Sequence, residues 1–328
     1  MSLYHIEKRR LKNSETYYLK KSIRINERVY SIRNNIGKER PAPEEERKIV
    51  STPNLLLEKK ALEKRIEHSA GHYKSKYLEP SEIRRLEKSR HWGSFFDLFL
   101  TKSELEYFEE TNRIEYIQGT TAIEGNTFTI QEVDDLLNRG IVPSSKTLRE
   151  INEVQNYIAV ENYLGEYSGR VTLGLIRKIH ELLMDNIDFE SAGWFRRIDS
   201  IGIRGVDFAV SPAMLIEGEL ERILDSYYRN IQGGCHPFEE AVLFHYMFEY
   251  IHPFTDGNGR VGREILNKVL LDAGFPRLTV SGSERERYIK ALQLGNKEQY
   301  REMILTFIEL LEDRRATVFQ EILEGKYS

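Results

Sequence analysis

Residues 252–263 bring together most of the side chains in this sequence that could carry out chemistry. They read HPFTDGNGRVGR and hold an imidazole, a carboxylate, an amide, two guanidiniums and several glycines. Apolar residues with helical spacing precede this stretch at 241–251 and follow it at 265–271. The sequence therefore predicts a helix, a tight loop and the start of a second helix.

A loop of this kind suits the binding of an anion. The free N–H groups and the positive dipole end at a helix N-terminus attract phosphate, and Gly257 and Gly259 let the backbone approach it closely. Arg260 and Arg263 are three residues apart and could offer planar, forked donors to further phosphate oxygens. The pattern indicates a phosphate site.

A carboxylate and an imidazole extend this interpretation. Asp256 would repel phosphate unless a cation lies between them, and a magnesium ion that bridges two phosphate groups resolves the conflict. That arrangement fits a nucleotide better than a lone phosphate. His252, four residues before Asp256, is then placed to accept a proton from an attacking hydroxyl group.

Two other readings of the glycine-rich stretch fit poorly. In a calcium-binding loop, Arg260 would take the place of the third ligand and Asn267 that of the closing glutamate. A P-loop needs Gly-Lys-Ser/Thr after the glycines, and none follows. Instead, residues 252–263 resemble the Fic motif, HPFx(D/E)GNGRxxR, with every fixed position filled.

This resemblance implies a fold and an activity. It implies a mostly helical Fic core that transfers AMP from ATP to a Ser, Thr or Tyr hydroxyl of a target protein. By the same resemblance, His252 is the general base, Asp256 is the ligand of Mg²⁺, and ATP is the co-substrate. The nucleotide-binding residues of the motif would be Gly257, Asn258, Gly259, Arg260, Val261, Gly262 and Arg263.

A second motif lies about 130 residues upstream, near the end of a helix predicted at 103–125. Residues 120–125, TTAIEG, resemble the Fic inhibitory signature (S/T)xxxE(G/N), in the class whose inhibitory helix precedes the core in the same chain. Thr120 and Glu124 fill its defining positions. Glu124 could pair with Arg263, which the resemblance assigns to the γ phosphate, and so hold the enzyme inactive. The alternative is a surface glutamate followed by a glycine C-cap.

The resemblance also suggests where the target and the adenine bind. Gly193 and Arg196 match a GxxR pattern that precedes the family's flap, and residues 198–211 alternate as a β-hairpin would. The flap holds a target peptide by strand addition. Its predicted residues are Ile201, Gly202, Ile203 and Arg204. Residues 287–296 resemble the adenine side, with Tyr288 and Asn296 near the base, although an ordinary amphipathic helix explains them equally well.

Composition is that of an ordinary globular protein. Of 328 residues, 40% are hydrophobic and 30% are charged. The amino terminus has no apolar signal-peptide core, and no uncharged apolar run approaches 20 residues. The single Cys235 excludes an internal disulfide. We therefore expect a cytoplasmic protein without a membrane span.

The amino-terminal section differs from the rest of the chain in being basic and in having predicted strands. Residues 1–100 hold 23 Lys and Arg against 14 Asp and Glu, in a chain of net charge −4. Its pattern predicts a three-stranded antiparallel meander at 3–9, 16–23 and 28–32, then charged helices. We therefore predict a basic α+β section at 1–95, and a mainly α Fic region with a short β-hairpin flap at 96–328.

Several functional alternatives stay open from sequence alone. The same residues could remove AMP or transfer another phosphate-containing group. A third alternative is a regulator that binds nucleic acid through residues 1–95 and keeps the Fic core as an ATP sensor. Self-modification and a homodimer are also compatible with the resemblance.

Overall fold

The chain forms two compact units in the computed structural model, which describes residues 3–11, 14–25, 27–199 and 210–312. Among these residues, the first unit comprises 3–73 and Glu79–Leu105. The second comprises Lys74–Leu78 and 106–312. The sequence-based boundary after residue 95 stays a prediction.

The first unit begins with the expected antiparallel meander. Strands β1 (His5–Leu11), β2 (Ser14–Ile25) and β3 (Arg28–Gly37) pair in the order β1-β2-β3. All three run beyond their predicted ends. In β3 the extension includes two asparagines, residues that sequence statistics disfavour in strands, and their backbone pairs with Tyr18 and Leu19 of β2.

Helices α1 (Pro43–Ser51), α2 (Leu55–Ala70) and α3 (Pro80–Phe99) complete the described part of this unit. Leu57 of α2 is fully buried with Tyr4 and Leu19. Beside them, the buried Glu58 accepts a hydrogen bond from Tyr4 Oη at 2.5 Å and pairs with Lys21 Nζ at 2.6 Å. The charge of Glu58 is thereby compensated at the edge of an apolar core.

The second unit is helical over its described residues. Its α-helices are α4 (Lys102–Ile123), whose first residues belong to the first unit, α5 (Ile130–Arg139), α6 (Leu148–Glu166), α7 (Leu173–Leu183), α8 (Ile216–Gln232), α9 (Pro237–Ile251), α10 (Asn258–Asp272), α11 (Arg285–Gly295) and α12 (Tyr300–Glu312). The predicted mainly helical fold with an N-terminal three-stranded sheet is confirmed.

Helices α9 and α10 lie at the centre of this unit. Helix α9 packs on α8, α10 and α12, and α10 also packs on α7. Phe238 and Phe248 of α9 and Ile265 of α10 are fully buried. A helix surrounded by others must be apolar on most sides, which accounts for the long apolar run before the loop. The chemistry-bearing loop is therefore held between two buried helices.

The predicted flap and the predicted lack of a membrane span can now be compared with the described residues. The predicted flap residues Ile201, Gly202, Ile203 and Arg204 lie outside the described residues. Within the described ones, no helix has both the length and the apolar character needed to cross a membrane.

The neighbours Leu56 and Leu57 give a direct test of the first unit's core. Leu57→Ala should lower the free energy of unfolding by about 2–5 kcal/mol, since it leaves a cavity beneath the sheet. Leu56→Ala, at a side chain that is 59% exposed, should change it by less than about 0.5 kcal/mol. Urea denaturation of the full chain measures both, and equal losses would contradict this core.

Candidate active site

The predicted loop connects the end of α9 to the start of α10. His252 follows α9 with φ 52° and ψ 62°, a left-handed conformation that is uncommon for a non-glycine residue. Gly257, with φ 78°, precedes the first residue of α10. Strained backbone persists where neighbouring groups hold it in place, so the contacts of this loop explain its shape.

The side chain of Asn258 closes the loop from within. Its Oδ1 accepts a hydrogen bond from Phe254 N, and its Nδ2 donates one to Phe254 O, both at 2.8 Å. Asn258 is 3% exposed and Phe254 is fully buried. The asparagine of the motif therefore acts as a clamp that fixes the backbone ahead of α10.

His180 of α7 supports the same loop from the outside. Its ring stacks on Phe254, with centroids 3.7 Å apart and planes 5° from parallel. Its Nδ1 accepts a hydrogen bond from Gly193 N at 2.9 Å, so Nε2 must carry the proton that it donates to Asp256 O at 3.1 Å. Burial lowers the pKa of His180 to about 4 and keeps the ring neutral.

Arg196 holds the backbone on the other side of the loop. Its Nε donates to His252 O at 2.8 Å, its Nη2 to Ile251 O at 3.3 Å, and its backbone N to Pro253 O at 2.9 Å. The side chain satisfies carbonyl groups that the end of α9 leaves without helical partners. Both residues of the predicted GxxR pattern thus contact the loop or its support.

The His252 ring is buried and neutral. Burial, and then the nearby charge of Arg196, lower the pKa of His252 to about 4. Its buried Nδ1 has no hydrogen-bond partner among the described residues. An unprotonated ring in this position can accept a proton from a bound hydroxyl group.

The Asp256 carboxylate is surrounded by donors. Its Oδ1 accepts from Gly257 N at 2.6 Å and lies 3.4 Å from Arg260 Nη2, while its Oδ2 accepts from Arg149 Nη2 at 2.5 Å. Burial opposes its charge, but Arg260 and Arg149 outweigh burial and lower the pKa of Asp256. The lowered pKa keeps this carboxylate ionised at neutral pH.

Arg260 is buried in a mixed charge cluster. It is 1% exposed, and its Nη1 lies 3.5 Å from Glu153 Oε1 of α6. Its Nε and Nη1 donate no hydrogen bond to any described residue. Such buried donors fit a ligand that brings acceptor oxygens, as phosphate does.

Arg263 contacts both Glu124 and Thr120. Arg263 Nη2 donates to Glu124 Oε1 at 2.7 Å and to Thr120 O at 3.0 Å, and its Nε donates to Thr120 Oγ1 at 2.8 Å. Thr120 Oγ1 also lies 3.2 Å from Tyr157 Oη. Burial opposes the charge of Arg263, yet the Glu124 carboxylate raises its pKa.

The carboxylate of Glu124 rests on the first turn of α10. A Cβ atom built on Gly259 would collide with Glu124 Oε1 and lie 2.9 Å from Arg263 Nη1. Gly259 therefore leaves room for the carboxylate beside the N-terminus of α10. The described chain places its own anion where sequence analysis expects phosphate.

The rest of the predicted nucleotide-binding set is buried or lies farther along the helices. Val261 and Gly262 belong to the buried first turns of α10. Tyr288 is 1% exposed, and its hydroxyl group lies 2.8 Å from His245 Nε2. Asn296 is exposed and accepts from Tyr246 Oη at 3.2 Å. The roles of Tyr288 and Asn296 on the adenine side stay predictions.

Asp256 suits magnesium by its donor chemistry. No group of three or more His, Cys, Asp or Glu that could hold a metal ion occurs within the described ranges. Mg²⁺ is often bound by one or two carboxylates and completed by substrate phosphates and water. The Asp256 carboxylate fits that pattern.

Sequence reasoning missed the support that comes from other helices. Arg149 and Glu153 of α6, His180 of α7 and Tyr157 of α6 all touch motif residues or their partners. None has a local sequence pattern that indicates this role. Arg149 carries the one weak signal, because a cation in the first turn of a helix opposes the helix dipole.

The protonation of His180 predicts an acid-labile loop. Its folded-state pKa of about 4 lies below the ordinary value of about 6.5, so the unfolded chain binds a proton more readily. The stability due to neutral His180 is therefore full above pH 6.5 and is lost as pH falls towards 4.

We expect the free energy of unfolding of the wild type to fall by about 2 kcal/mol more than that of His180→Gln between pH 7 and 5. Urea titrations at several pH values measure the difference. The exposed His72→Gln serves as the control and should follow the wild type. Parallel curves for wild type and His180→Gln would contradict the neutral, buried ring.

Comparison with known proteins agrees with this arrangement. Residues 170–270 match the model of the Fic/DOC family. A protein adenylyltransferase Fic from Aedes aegypti is 27% identical over 236 residues, which cover 70% of this chain and 46% of that protein. Protein adenylyltransferase fic-1 from Caenorhabditis elegans is 31% identical over 186 residues, covering 55% and 36%. The chain thus spans less than half the length of these curated relatives.

Solved structures share the fold. Fic-1 from C. elegans superposes with a TM-score of 0.63 at 26% identity, covering 75% of this chain and 73% of that one. A Fic family protein from Desulfovibrio desulfuricans G20 gives 0.62 at 26% identity, covering 76% and 78%. With its motif loop built as described, the chain matches the Fic/DOC family model over residues 170–270 and shares its fold with these Fic proteins.

Proposed function

We propose that this protein is an adenylyltransferase that moves AMP from ATP to a Ser, Thr or Tyr hydroxyl of a target protein, and that Glu124 restrains it. The names of its relatives support the reaction. The observation that carries the proposal is the contact of Glu124 Oε1 with Arg263 Nη2 at 2.7 Å, above the first turn of α10. A carboxylate bound there marks an anion site.

His252 supplies the acid–base chemistry. The target hydroxyl oxygen attacks the α phosphorus of ATP, a new P–O bond forms, and the bond to the β phosphate oxygen breaks. The hydroxyl proton passes to the neutral His252 ring, and pyrophosphate leaves with the bonding electrons. The negative charge of the bound triphosphate would raise the pKa of His252 from about 4 and make it a better base.

Helix α10 supplies the electrostatic stabilisation. The free N–H groups of its first turn, together with Arg260 and Arg263, face the place where negative charge accumulates on phosphoryl oxygens. Magnesium, when bound, would be held by Asp256 and would neutralise part of the phosphate charge. The clamps of Asn258, His180 and Arg196 keep these groups in position before the substrate arrives.

Glu124 restrains the enzyme because one guanidinium cannot serve two anions equally. Arg263 is 3% exposed, and three of its described hydrogen bonds go to Thr120 and Glu124. A γ phosphate would have to take the place of the carboxylate or bind in a displaced position. A displacement of 1 Å can lower a rate about 100-fold.

Other aspects of function follow from the sequence and remain proposals. Glu124, with 35% of its side chain exposed, could also position water for the removal of AMP. Self-modification, a homodimer and a cytoplasmic location belong to the same proposal. No contact of the described residues favours nucleic acid as the partner of residues 1–95 over a protein target.

The proposal predicts label transfer that depends on residue 124. Glu124→Gly should transfer label from α-labelled ATP with Mg²⁺, to itself or to a target, at least about tenfold faster than the wild type, since Arg263 becomes available. Glu124→Gly combined with His252→Ala should be inactive, because the base is lost. Gel-based label counting measures all three.

A matched control uses Glu109, an exposed glutamate of α4, the helix that ends one residue before Glu124. Glu109→Gly makes the same chemical change and weakens the helix by about 1 kcal/mol, yet it should leave transfer at the wild-type level. If Glu124→Gly binds ATP but labels nothing, in lysate or alone, the adenylyltransferase proposal is wrong. If Glu109→Gly activates equally, the restraint is not due to Glu124.

The neighbours Thr120 and Thr121 test whether the hydrogen bond from Arg263 to Thr120 supports the ion pair with Glu124. Thr120→Val removes the oxygen that accepts from Arg263 Nε, so the ion pair with Glu124 should be held less firmly and transfer should rise about two- to tenfold. Thr121→Val loses the hydrogen bonds of the hydroxyl group to Ile117 O and Gln118 O, both within α4, and should not activate. Label-transfer rates measure both, and equal rates for the two variants would contradict the role of Thr120.

A further inference from the structure

We propose that Arg149 occupies the metal-binding side of Asp256 in the nucleotide-free enzyme and must move away for Mg²⁺ to bind. Arg149 is then a positioning residue that lowers the affinity of the resting site for Mg²⁺. The inference rests on the proposed function, because it concerns the carboxylate that would hold the metal.

The two oxygens of Asp256 have different partners. Oδ1 accepts from Gly257 N at 2.6 Å and faces Arg260 at 3.4 Å, both within the motif. Oδ2 accepts from Arg149 Nη2 at 2.5 Å. The oxygen that backbone geometry leaves accessible to a cation is therefore the one that Arg149 binds.

A guanidinium and Mg²⁺ compete for such an oxygen. Both use the same lone pairs, and two cations at one carboxylate repel each other. Helix stability does not account for this arginine, since Arg149 is the second residue of α6, where the helix dipole disfavours positive charge. Its position is explained by Asp256 and Glu153, which it contacts.

Arg149 can leave where Arg260 cannot. The side chain of Arg149 is 55% exposed, whereas that of Arg260 is 2% exposed. Arg149 Nε also lies 3.1 Å from Glu153 Oε1, so one carboxylate can retain the guanidinium when the other releases it. The exchange therefore needs only a side-chain rotation at the surface.

The test measures nucleotide affinity with and without the metal. In the Glu124→Gly background, calorimetry gives the Kd of a non-hydrolysable ATP analogue in EDTA and in excess Mg²⁺. The ratio of the two constants is the gain due to Mg²⁺. Arg149→Gln should raise this gain about two- to fivefold, as expected for the loss of a partly exposed ion pair, and leave the Kd in EDTA within about twofold.

Two further variants serve as comparisons. Arg149→Lys keeps the positive charge and should restore much of the original gain. Arg139→Gln removes an arginine that is 59% exposed and pairs with Asp135 at 2.8 Å on another helix, and it should behave like the background protein.

Each remaining outcome overturns the inference in a distinct way. An unchanged gain in Arg149→Gln shows that Arg149 does not compete with the metal. A weaker Kd in EDTA shows that Arg149 binds the nucleotide itself. If no variant, including the background, binds the analogue under either condition, the proposed nucleotide chemistry is wrong and this inference fails with it.

Discussion

A buried guanidinium must have an anion beside it, and the second unit is arranged around that requirement at Arg263. Removing the partner of a buried ion pair typically costs about 3–5 kcal/mol, so the 3% exposed Arg263 is not left without a negative charge. Glu124, the residue directly after α4, provides that charge, and Thr120 of α4 accepts two further hydrogen bonds from Arg263. The contact that the proposed function makes inhibitory is thus also the contact that compensates the charge of Arg263.

Near this pair, the loop that precedes α10 is held in shape mainly by side chains that form hydrogen bonds with its backbone groups. Asn258 forms hydrogen bonds with both the backbone N–H and the carbonyl group of Phe254. His180 binds the carbonyl group of Asp256, and Arg196 binds the carbonyl groups at the end of α9. These supports hold His252, Asp256 and the arginines of α10 in fixed positions. Catalytic groups need such prior positioning, because a small misplacement sacrifices much of the rate.

The fold and the core of the site could be predicted because their signals are local. The motif 252–263 is contiguous, and residues 120–125 resemble a known short pattern, so both can be recognised from consecutive residues of the sequence. Arg149, which lies 107 residues before Asp256, and His180, 76 residues before it, meet the loop only through the packing of α6 and α7. Strand ends were also missed: β3 was predicted to end at residue 32 but runs to Gly37, where its backbone still pairs with β2.

Glu124 and Arg263 belong to one chain and lie 139 positions apart in sequence. A tethered group acts at an effective concentration that the fold sets, commonly in the millimolar range for flexible connections and higher for rigid ones. Dilution of the protein therefore cannot release the Glu124 carboxylate from Arg263. A nucleotide that binds Arg263 would compete with a carboxylate whose effective concentration is constant. If the proposed function holds, the apparent nucleotide affinity is scaled by the fraction of molecules in which Glu124 has separated from Arg263. Any partner that binds α4 would then change that affinity at a constant concentration of ATP.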